Sequence, residues 1–152
     1  MERKYMINKV FHGTATIFEH FQCPAYFAET VETAEFFAQR SLGKSVVMEC
    51  TLIFENPLIL DLEGQPWGGF HLHNQEMEKA CIECAAEGNP NEKEYYQEEG
   101  LTIGFLAEYA EKQGYDGVIA TNCMEENDSI ETQYVVFHPE NITIIRRNEV
   151  VV

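Results

Sequence analysis

Short apolar runs and one longer alternating segment set the strand pattern of this chain. Ser45–Phe54 alternates between apolar and polar positions and is rich in Val, Ile and Thr, which predicts a β-strand. Shorter runs of the same character predict six further strands, at Lys9–Gly13, Ala25–Ala28, Leu58–Leu62, Val118–Thr121, Gln133–His138 and Ile142–Arg147.

A second, helical spacing of apolar residues separates these strands. It predicts a helix over Val31–Leu42, with Thr30 as its N-cap and Gly43 just beyond its end. The same spacing predicts helices over Asn74–Ala86 and Leu101–Gln113. Because helices and short strands follow one another without a regular βαβ rhythm, the pattern favours an α+β fold over a doubly wound sheet.

Two stretches read as loops. One contains Gly64, Pro66, Gly68 and Gly69, and the other is the polar segment 87–99, EGNPNEKEYYQEE, with its Asn-Pro-Asn turn signal. We interpret the region of about 64–100 as an insertion within a single domain that covers residues 1–152. Such a length suffices for one hydrophobic core.

Charge and cysteine content narrow the class of protein. The net charge is −16, from 26 acidic and 10 basic residues, so we expect no direct binding to nucleic acid. An acidic surface that imitates nucleic acid remains an alternative. The five cysteines are an odd, scattered set typical of free thiols in a reducing compartment. With neither a signal peptide nor a membrane-length apolar run, we expect a cytoplasmic protein without a membrane partner.

Four separated segments carry residues from which a site could be built. In Phe11–Thr14 a histidine at a strand end precedes Gly13, where a ligand can approach the backbone closely. Near the other end of the chain, period-two geometry places Glu131 and Gln133 on one face of a strand. Between them lie Tyr-Phe at 26–27 and a helix with Thr33 and two phenylalanines. Taken singly, these segments fit a turn histidine, a core strand, a buried aromatic face and a sheet edge.

The order of the four segments is more specific than any one of them. His-Gly-Thr, Tyr-Phe-Ala-Glu, a Thr-Ala-x-Phe helix and a final Gln-Tyr-Val-Val-Phe strand resemble the ADP-ribosyltransferase superfamily. The similarity is to its His-Tyr-Glu branch, which includes poly(ADP-ribose) polymerases and diphtheria toxin, and to small phage and bacterial transferase domains. Gly114–Ile119 and His138–Ile142 add to it. The resemblance covers nearly the whole chain and implies split mixed β-sheets, with flanking helices, that enclose an NAD⁺ cleft.

The resemblance also implies roles for individual residues. His12 would hydrogen-bond the ribose next to nicotinamide, and the backbone of Gly13 would hold the carboxamide. Tyr26 would stack on the nicotinamide ring, Thr33 would reach the carboxamide, and Phe36 would close the other ring face. The full set implied for NAD⁺ is His12, Gly13, Thr14, Tyr26, Phe27, Thr33 and Phe36.

One position departs from the family. Gln133 stands where the family has a glutamate, and an amide is neutral and cannot act as a base. Gln133, Glu131 and His12 are the candidate catalytic residues. Gln133 could suffice for slow transfer, or Glu131 could supply the charge. A carboxylate elsewhere, such as Asp116 or Asp128, is a third source, and binding without catalysis is the fourth outcome.

A competing site lies in the insertion. His71, His73, Cys81 and Cys84 are zinc-ligand types within 14 residues. Zinc cysteine pairs usually bracket a turn, whereas this pair falls in the middle of a predicted helix. Its cysteines fit equally well in the buried stripe of that helix. We therefore expect no metal.

The sequence thus predicts an NAD⁺-dependent mono-ADP-ribosyltransferase that modifies a protein or another macromolecule. The resemblance to small phage and bacterial domains implies a role in phage–host conflict, such as inhibition of host defence. The alternative is an inactive transferase-like binding module, or an acidic inhibitor that imitates nucleic acid.

Overall fold

The computed structural model describes residues 5–14, 18–39 and 45–149. Two 3₁₀ turns, at Pro90–Glu92 and Pro139–Asn141, accompany the regular elements. The strands are β1 Tyr5–Thr14, β2 Ala25–Ala28, β3 Val46–Phe54, β4 Pro57–Asp61, β5 Gly68–Phe70, β6 Leu101–Thr102, β7 Gly117–Met124, β8 Ile130–Val136 and β9 Ile142–Glu149. The helices are α1 Val31–Gln39, α2 Gln75–Ala86, α3 Lys93–Glu99 and α4 Ile103–Lys112.

Seven strands form one mixed sheet in the order β4-β7-β8-β2-β1-β3-β9. The β4–β7 pair is parallel, and the other neighbours are antiparallel. The short strands β5 and β6 pair separately as a two-stranded sheet. This confirms the predicted α+β class with a mixed sheet and flanking helices. Strand β2 at the centre joins two halves of the large sheet, so residues far apart in sequence become neighbours there.

The large sheet is apolar on both faces. Val118 and Ala120 of β7 face a core that helices α2 and α4 complete with Ile82 and Leu106. Ile119, on the opposite face, packs in a second core with residues of β3, β8 and the segment before β2. This alternation along a strand follows from its period of two. Position 117 requires glycine for this packing, because a Cβ there would collide with the ring of Phe54.

The predicted elements and the observed ones agree in position, with three corrections. Leu101–Thr102, predicted as the start of a helix, forms strand β6. The segment 87–99, predicted as a loop, contains the 3₁₀ turn and helix α3, anchored by the buried ring of Tyr96. The loop predicted at 64–69 contains the start of β5. In each case a tertiary contact determines the local structure. A buried aromatic ring or a strand partner outweighs the local sequence signals. Strand β1 is longer than predicted, and the predicted helix end at 40–42 lies outside the described residues.

Helix caps follow the sequence closely. Asn74 accepts a hydrogen bond from the amide of Met77 at the start of α2, and Thr102 accepts one from Phe105 at the start of α4. Thr30 caps α1 through its hydroxyl oxygen, which lies 3.4 Å from the amide nitrogen of Thr33. No helix in the described ranges is long and apolar enough to cross a membrane.

Candidate active site

A cleft of about 610 Å³ opens where β1, β2 and β8 lie side by side. Its volume falls within the range of about 300–1,000 Å³ typical of small-molecule sites. The lining residues come from these strands, helix α1, the loop at 67, the start of α4 and the loop after β7. They are Phe11, His12, Gly13, Tyr26, Phe27, Ala28, Ala34, Phe37, Trp67, Thr102, Ile103, Gly104, Glu125, Glu126 and Gln133.

His12 is held in one orientation on β1. Its Nδ1 lies 2.7 Å from the carbonyl oxygen of Tyr26, and a carbonyl only accepts, so Nδ1 carries the proton. The ring packs edge-on against Phe21, with centroids 5.0 Å apart. Burial lowers the pKa of His12, while the bond to the Tyr26 carbonyl acts in the opposite direction. The ring is therefore neutral at pH 7, and Nε2 keeps a lone pair for a ligand.

Tyr26 and Gly13 contribute an exposed ring and a bare stretch of backbone. The Tyr26 side chain is 37% exposed, which leaves the aromatic surface open to a ligand. Gly13 lines the cleft beside helix α1, and a Cβ there would collide with the carbonyl oxygen of Ala34. Close packing of the helix on the strand thus requires glycine at this position, independently of any ligand.

Gln133 lies on β8 next to β2 and β7, opposite Ala28 and Ala120. Its small neighbours leave room for the amide at the floor of the cleft. The Oε1 atom lies 3.9 Å from the thiol sulfur of Cys123. The structure therefore brings His12, Tyr26 and Gln133 together from three strands that are remote in sequence.

Glu131 does not line the cleft. It is only 6% exposed, and its Oε1 accepts hydrogen bonds from the backbone amides of Glu29 and Thr30 at 3.1 and 3.2 Å. Its Oε2 accepts from the hydroxyls of Ser129, Thr33 and Thr30 at 2.7, 2.9 and 3.0 Å. These bonds tie β8 to the start of α1. Glu131 was a predicted source of negative charge for catalysis. In the structure both oxygens of its carboxylate are occupied by these hydrogen bonds.

Three of the predicted ligand residues are not among the residues that line the cleft. The Thr33 hydroxyl is fully buried, donates to Glu131 and accepts from the Asn127 amide at 3.1 Å. On α1, Phe37 rather than Phe36 is among the residues that line the cleft. Thr14 ends β1 and pairs with Val46.

Glu125 is a cleft residue that sequence reasoning missed. It is 3% exposed and lines the cleft directly after β7, and its Oε2 has no hydrogen-bond partner in the described part of the chain. Burial, with Glu131 nearby, raises the pKa of Glu125 to about 7. In sequence it belongs to the polar run Glu-Glu-Asn-Asp, which is typical of a solvated turn. The available signal was that Glu125 lies in the loop before the strand that carries Gln133, which indicates a position near the cleft.

The two other carboxylates considered from sequence are placed elsewhere. The Asp116 carboxylate accepts from the backbone amides of Glu55 and Asn56 at 2.7 and 3.0 Å, which closes the turn before β4. Asp128 is exposed in the β7–β8 loop with φ of +66°. Neither is among the cleft-lining residues.

The histidines and cysteines of segment 71–84 form no metal-binding cluster within the described residues. His71 contacts Glu78 at 3.2 Å, and His73 contacts Glu63 at 3.4 Å. Cys81 and Cys84 lie in the buried face of α2. Within residues 5–14, 18–39 and 45–149, no group of three or more His, Cys, Asp or Glu side chains is arranged to hold a metal ion.

Comparisons with known proteins agree with this architecture. A sequence profile described as "ADP-Ribosyltransferase in polyvalent proteins" matches residues 6–151. The fold is similar to a chain in the crystal structure of the M. tuberculosis MbcT–MbcA toxin–antitoxin complex. That match has a TM-score of 0.51 at 11% identity, and it covers 97% of this chain and 85% of the other. No curated protein sequence matches the chain.

The mixed sheet and the profile define the class of protein as a transferase of the ADP-ribosyltransferase superfamily. The profile spans nearly the whole sequence, so the chain belongs to the family of ADP-ribosyltransferases in polyvalent proteins. The resemblance inferred from the four sequence segments is thereby confirmed at the level of the superfamily.

Proposed function

We propose that this protein is an NAD⁺-dependent mono-ADP-ribosyltransferase that modifies a macromolecular target. The observation that carries the proposal is the convergence of His12, Tyr26 and Gln133 in one cleft of suitable volume. Their residue types match the nicotinamide-binding positions of the superfamily except at Gln133. The products would be nicotinamide and an ADP-ribosylated acceptor.

Nicotinamide would lie between two aromatic side chains. The exposed ring of Tyr26 offers one stacking surface, and Phe37 on α1 lines the same cleft. A flat aromatic amide gains from such stacking and from hydrogen bonds at its edge. The backbone at Gly13 is the candidate for those hydrogen bonds, because it has no side chain to block approach. Phe27 contributes the wall behind it.

His12 would orient the ribose that carries nicotinamide. Its neutral ring donates through Nδ1 to Tyr26, so Nε2 can accept a hydrogen bond from a ribose hydroxyl. A protonated His12 would lose this acceptor and add a second positive charge beside the pyridinium of NAD⁺. Burial of the ring among aromatic side chains keeps it neutral at the pH where the protein would work.

Gln133 would bind a ribose hydroxyl without stabilising the developing positive charge as a carboxylate does. Removal of one electrostatic group from an active site costs about 10²–10³ in rate. The proposed enzyme is therefore a slow transferase unless another carboxylate compensates. An inactive NAD⁺-binding module is the alternative that Gln133 favours.

A protein is the target that we propose. The structural match is to a chain of a toxin–antitoxin complex, in which that protein is bound to another protein. The net charge of −16 would speed encounters with basic surfaces. We also propose a role in phage–host conflict. Two observations support it, the description of the family from polyvalent proteins and the structural match to a chain of a toxin–antitoxin complex.

Thermal unfolding with and without millimolar NAD⁺ tests the proposal, with nicotinamide release followed in the same samples. A ligand that binds only the folded state raises the melting temperature. We expect a rise for the wild type and its loss in His12→Ala, whatever the melting temperature of that variant without ligand. His73→Ala is the matched control, because His73 is exposed and outside the cleft.

Three results would separate the alternatives. A rise with nicotinamide release supports an active transferase or glycohydrolase. A rise without release supports the NAD⁺-binding module. No rise at saturating NAD⁺, or an equal rise in His12→Ala, contradicts the cleft assignment and leaves the acidic inhibitor as the function to pursue.

A further inference from the structure

Glu125 is a buried acid with an unsatisfied carboxylate oxygen. It is 3% exposed, and its Oε2 has no hydrogen-bond partner among the described residues. Burying a carboxylate oxygen without a partner is costly, and the nearby Glu131 adds repulsion. Glu131 differs from Glu125 in this respect, because its two oxygens accept five hydrogen bonds and it has a structural role.

The backbone around Glu125 is firmly held. Its amide donates to the carbonyl of Ser129 at 2.8 Å, and its carbonyl accepts from the amide of Asp128 at 2.9 Å. On the preceding residue, the amide of Met124 donates to the carbonyl of Gln65 at 2.9 Å. A side chain on such a fixed turn is kept in the cleft wall, and precise placement is what a catalytic group requires.

We propose that Glu125 is the general base of this cleft, which takes a proton from the group that attacks the ribose C1′ of NAD⁺. The inference rests on the proposed NAD⁺ chemistry. In it, Glu125 supplies the negative charge that Gln133 lacks. It also restricts the acceptor to a group that carries a proton, such as a hydroxyl. A carboxylate acceptor needs no base, and Glu125 and Glu126 in the lining would repel it.

In the hydrolytic form of the step, water is the group that attacks C1′. The bond between C1′ and the nicotinamide nitrogen breaks, and its electron pair stays on nitrogen, which neutralises the pyridinium. A water oxygen forms the new bond to C1′, and its proton passes to the Glu125 carboxylate. NAD⁺, water and ionised Glu125 thus give ADP-ribose, nicotinamide and protonated Glu125. In transfer, the acceptor hydroxyl takes the place of water.

The titratable groups around Glu125 determine its pH response. Glu131 of β8 and Cys123 of β7 lie beside it, while His12, Tyr26 and Glu126 line the same cleft. No described Lys or Arg lines the cleft. Burial and the charge of Glu131 raise the pKa of Glu125 to about 7. Since the base acts when ionised, the rate should rise with pH through this value.

The test compares the rate of nicotinamide release, from pH 5.5 to 8.5, in the wild type, Glu125→Gln and Asp128→Asn. Asp128→Asn removes an exposed carboxylate of the same loop, at a φ that asparagine tolerates well. We expect Glu125→Gln to lower kcat by about 10²-fold or more at pH 8 and to abolish the pH-dependent rise. Asp128→Asn should retain the wild-type rate and profile.

Two further measurements separate chemistry from folding. Glu125→Gln should keep the NAD⁺-induced rise in melting temperature, which shows a folded and occupied cleft. Adding Gln133→Glu to Glu125→Gln should restore part of the lost rate, because a carboxylate returns to the cleft. Because Gln133→Glu alone should also raise the rate, the reference is Gln133→Glu with Glu125 intact, and a base role for Glu125 predicts that the double variant stays slower than this reference and lacks its pH-dependent rise.

The outcomes are distinct for the two proposals. Wild-type turnover in Glu125→Gln overturns the inference alone, and so does a wild type that binds NAD⁺ but releases no nicotinamide. A wild type that is not stabilised by NAD⁺ and releases no nicotinamide overturns the proposed function, and the inference with it.

Discussion

Two glutamates six positions apart, Glu125 and Glu131, have opposite environments in this protein. Glu131 receives donors on both oxygens, whereas Oε2 of Glu125 receives none from the described residues. The two residues are of the same type and lie on either side of one hairpin turn, and their tertiary partners distinguish them. This contrast explains why we assign structural work to Glu131 and chemistry to Glu125.

The structural role of Glu131 predicts a large loss of stability on its replacement. In Glu131→Gln an NH₂ group would face donors instead of accepting from them, so buried donors at the start of α1 would lose their partner. We expect the free energy of unfolding to fall by about 2–4 kcal/mol. Urea unfolding followed by circular dichroism measures it.

Glu32→Gln is the matched control, because Glu32 is exposed in the first turn of the same helix. Its effect should stay within about 1 kcal/mol, the size of a helix-dipole contribution. Equal losses in the two variants would show that the hydrogen bonds of Glu131 contribute little to stability.

At the scale of elements, apolar patterning predicted the strands and helices that bury a regular face. Strand β3 shows this well, since its alternation matches the buried core residues Met48, Cys50 and Leu52. Helix α3 and strands β5 and β6 were missed because none of them carries a periodic pattern. The buried ring of Tyr96 anchors α3, and β5 and β6 form by pairing with each other.

The site was predictable in part, because the order of the sequence motifs resembles that of a known superfamily. A fixed motif order located His12, Tyr26 and Gln133 on their strands, and the structure places all three in the cleft. The sequence does not show which of the two adjacent phenylalanines of α1 faces the cleft, so the prediction named Phe36 where Phe37 lines it. Burial of Glu125 depends on how a hairpin loop packs, which no local pattern encodes.

The contact between α1 and β1 supplies the prediction at this scale. In Gly13→Ala the new methyl group would collide with the carbonyl oxygen of Ala34, so the helix must move away from the sheet. We expect a loss of about 1–3 kcal/mol in the free energy of unfolding, as for other overpacked contacts. Denaturant unfolding measures the loss.

Gly104→Ala serves as the comparison, because a Cβ there meets nothing closer than 3.6 Å and the residue lies in helix α4. Alanine should be neutral or stabilising at that position. If Gly13→Ala were as stable as Gly104→Ala, the close packing of α1 on β1 would not be a constraint on the fold.

For the whole molecule, charge is the dominant long-range property. With 26 acidic and 10 basic residues, repulsive pairs of charges outnumber attractive ones. Among the described residues each ion pair has at least one exposed partner, as in Lys112 with Glu87 at 3.1 Å, and such pairs contribute little. Salt weakens both kinds of interaction over a screening length of about 10 Å at 0.1 M.

The balance of these interactions predicts that salt stabilises the protein. Since repulsion among exposed carboxylates dominates, raising sodium chloride from 0.02 to about 0.2 M should raise the melting temperature by about 2–4 °C, which corresponds to about 1 kcal/mol. Scanning calorimetry at fixed pH measures the shift. The same experiment at pH 4.5, near the isoelectric point, should show a much smaller rise because the net charge is then close to zero. A melting temperature that falls with salt at neutral pH would mean that attractive pairs, and not net charge, dominate the electrostatic energy of the fold.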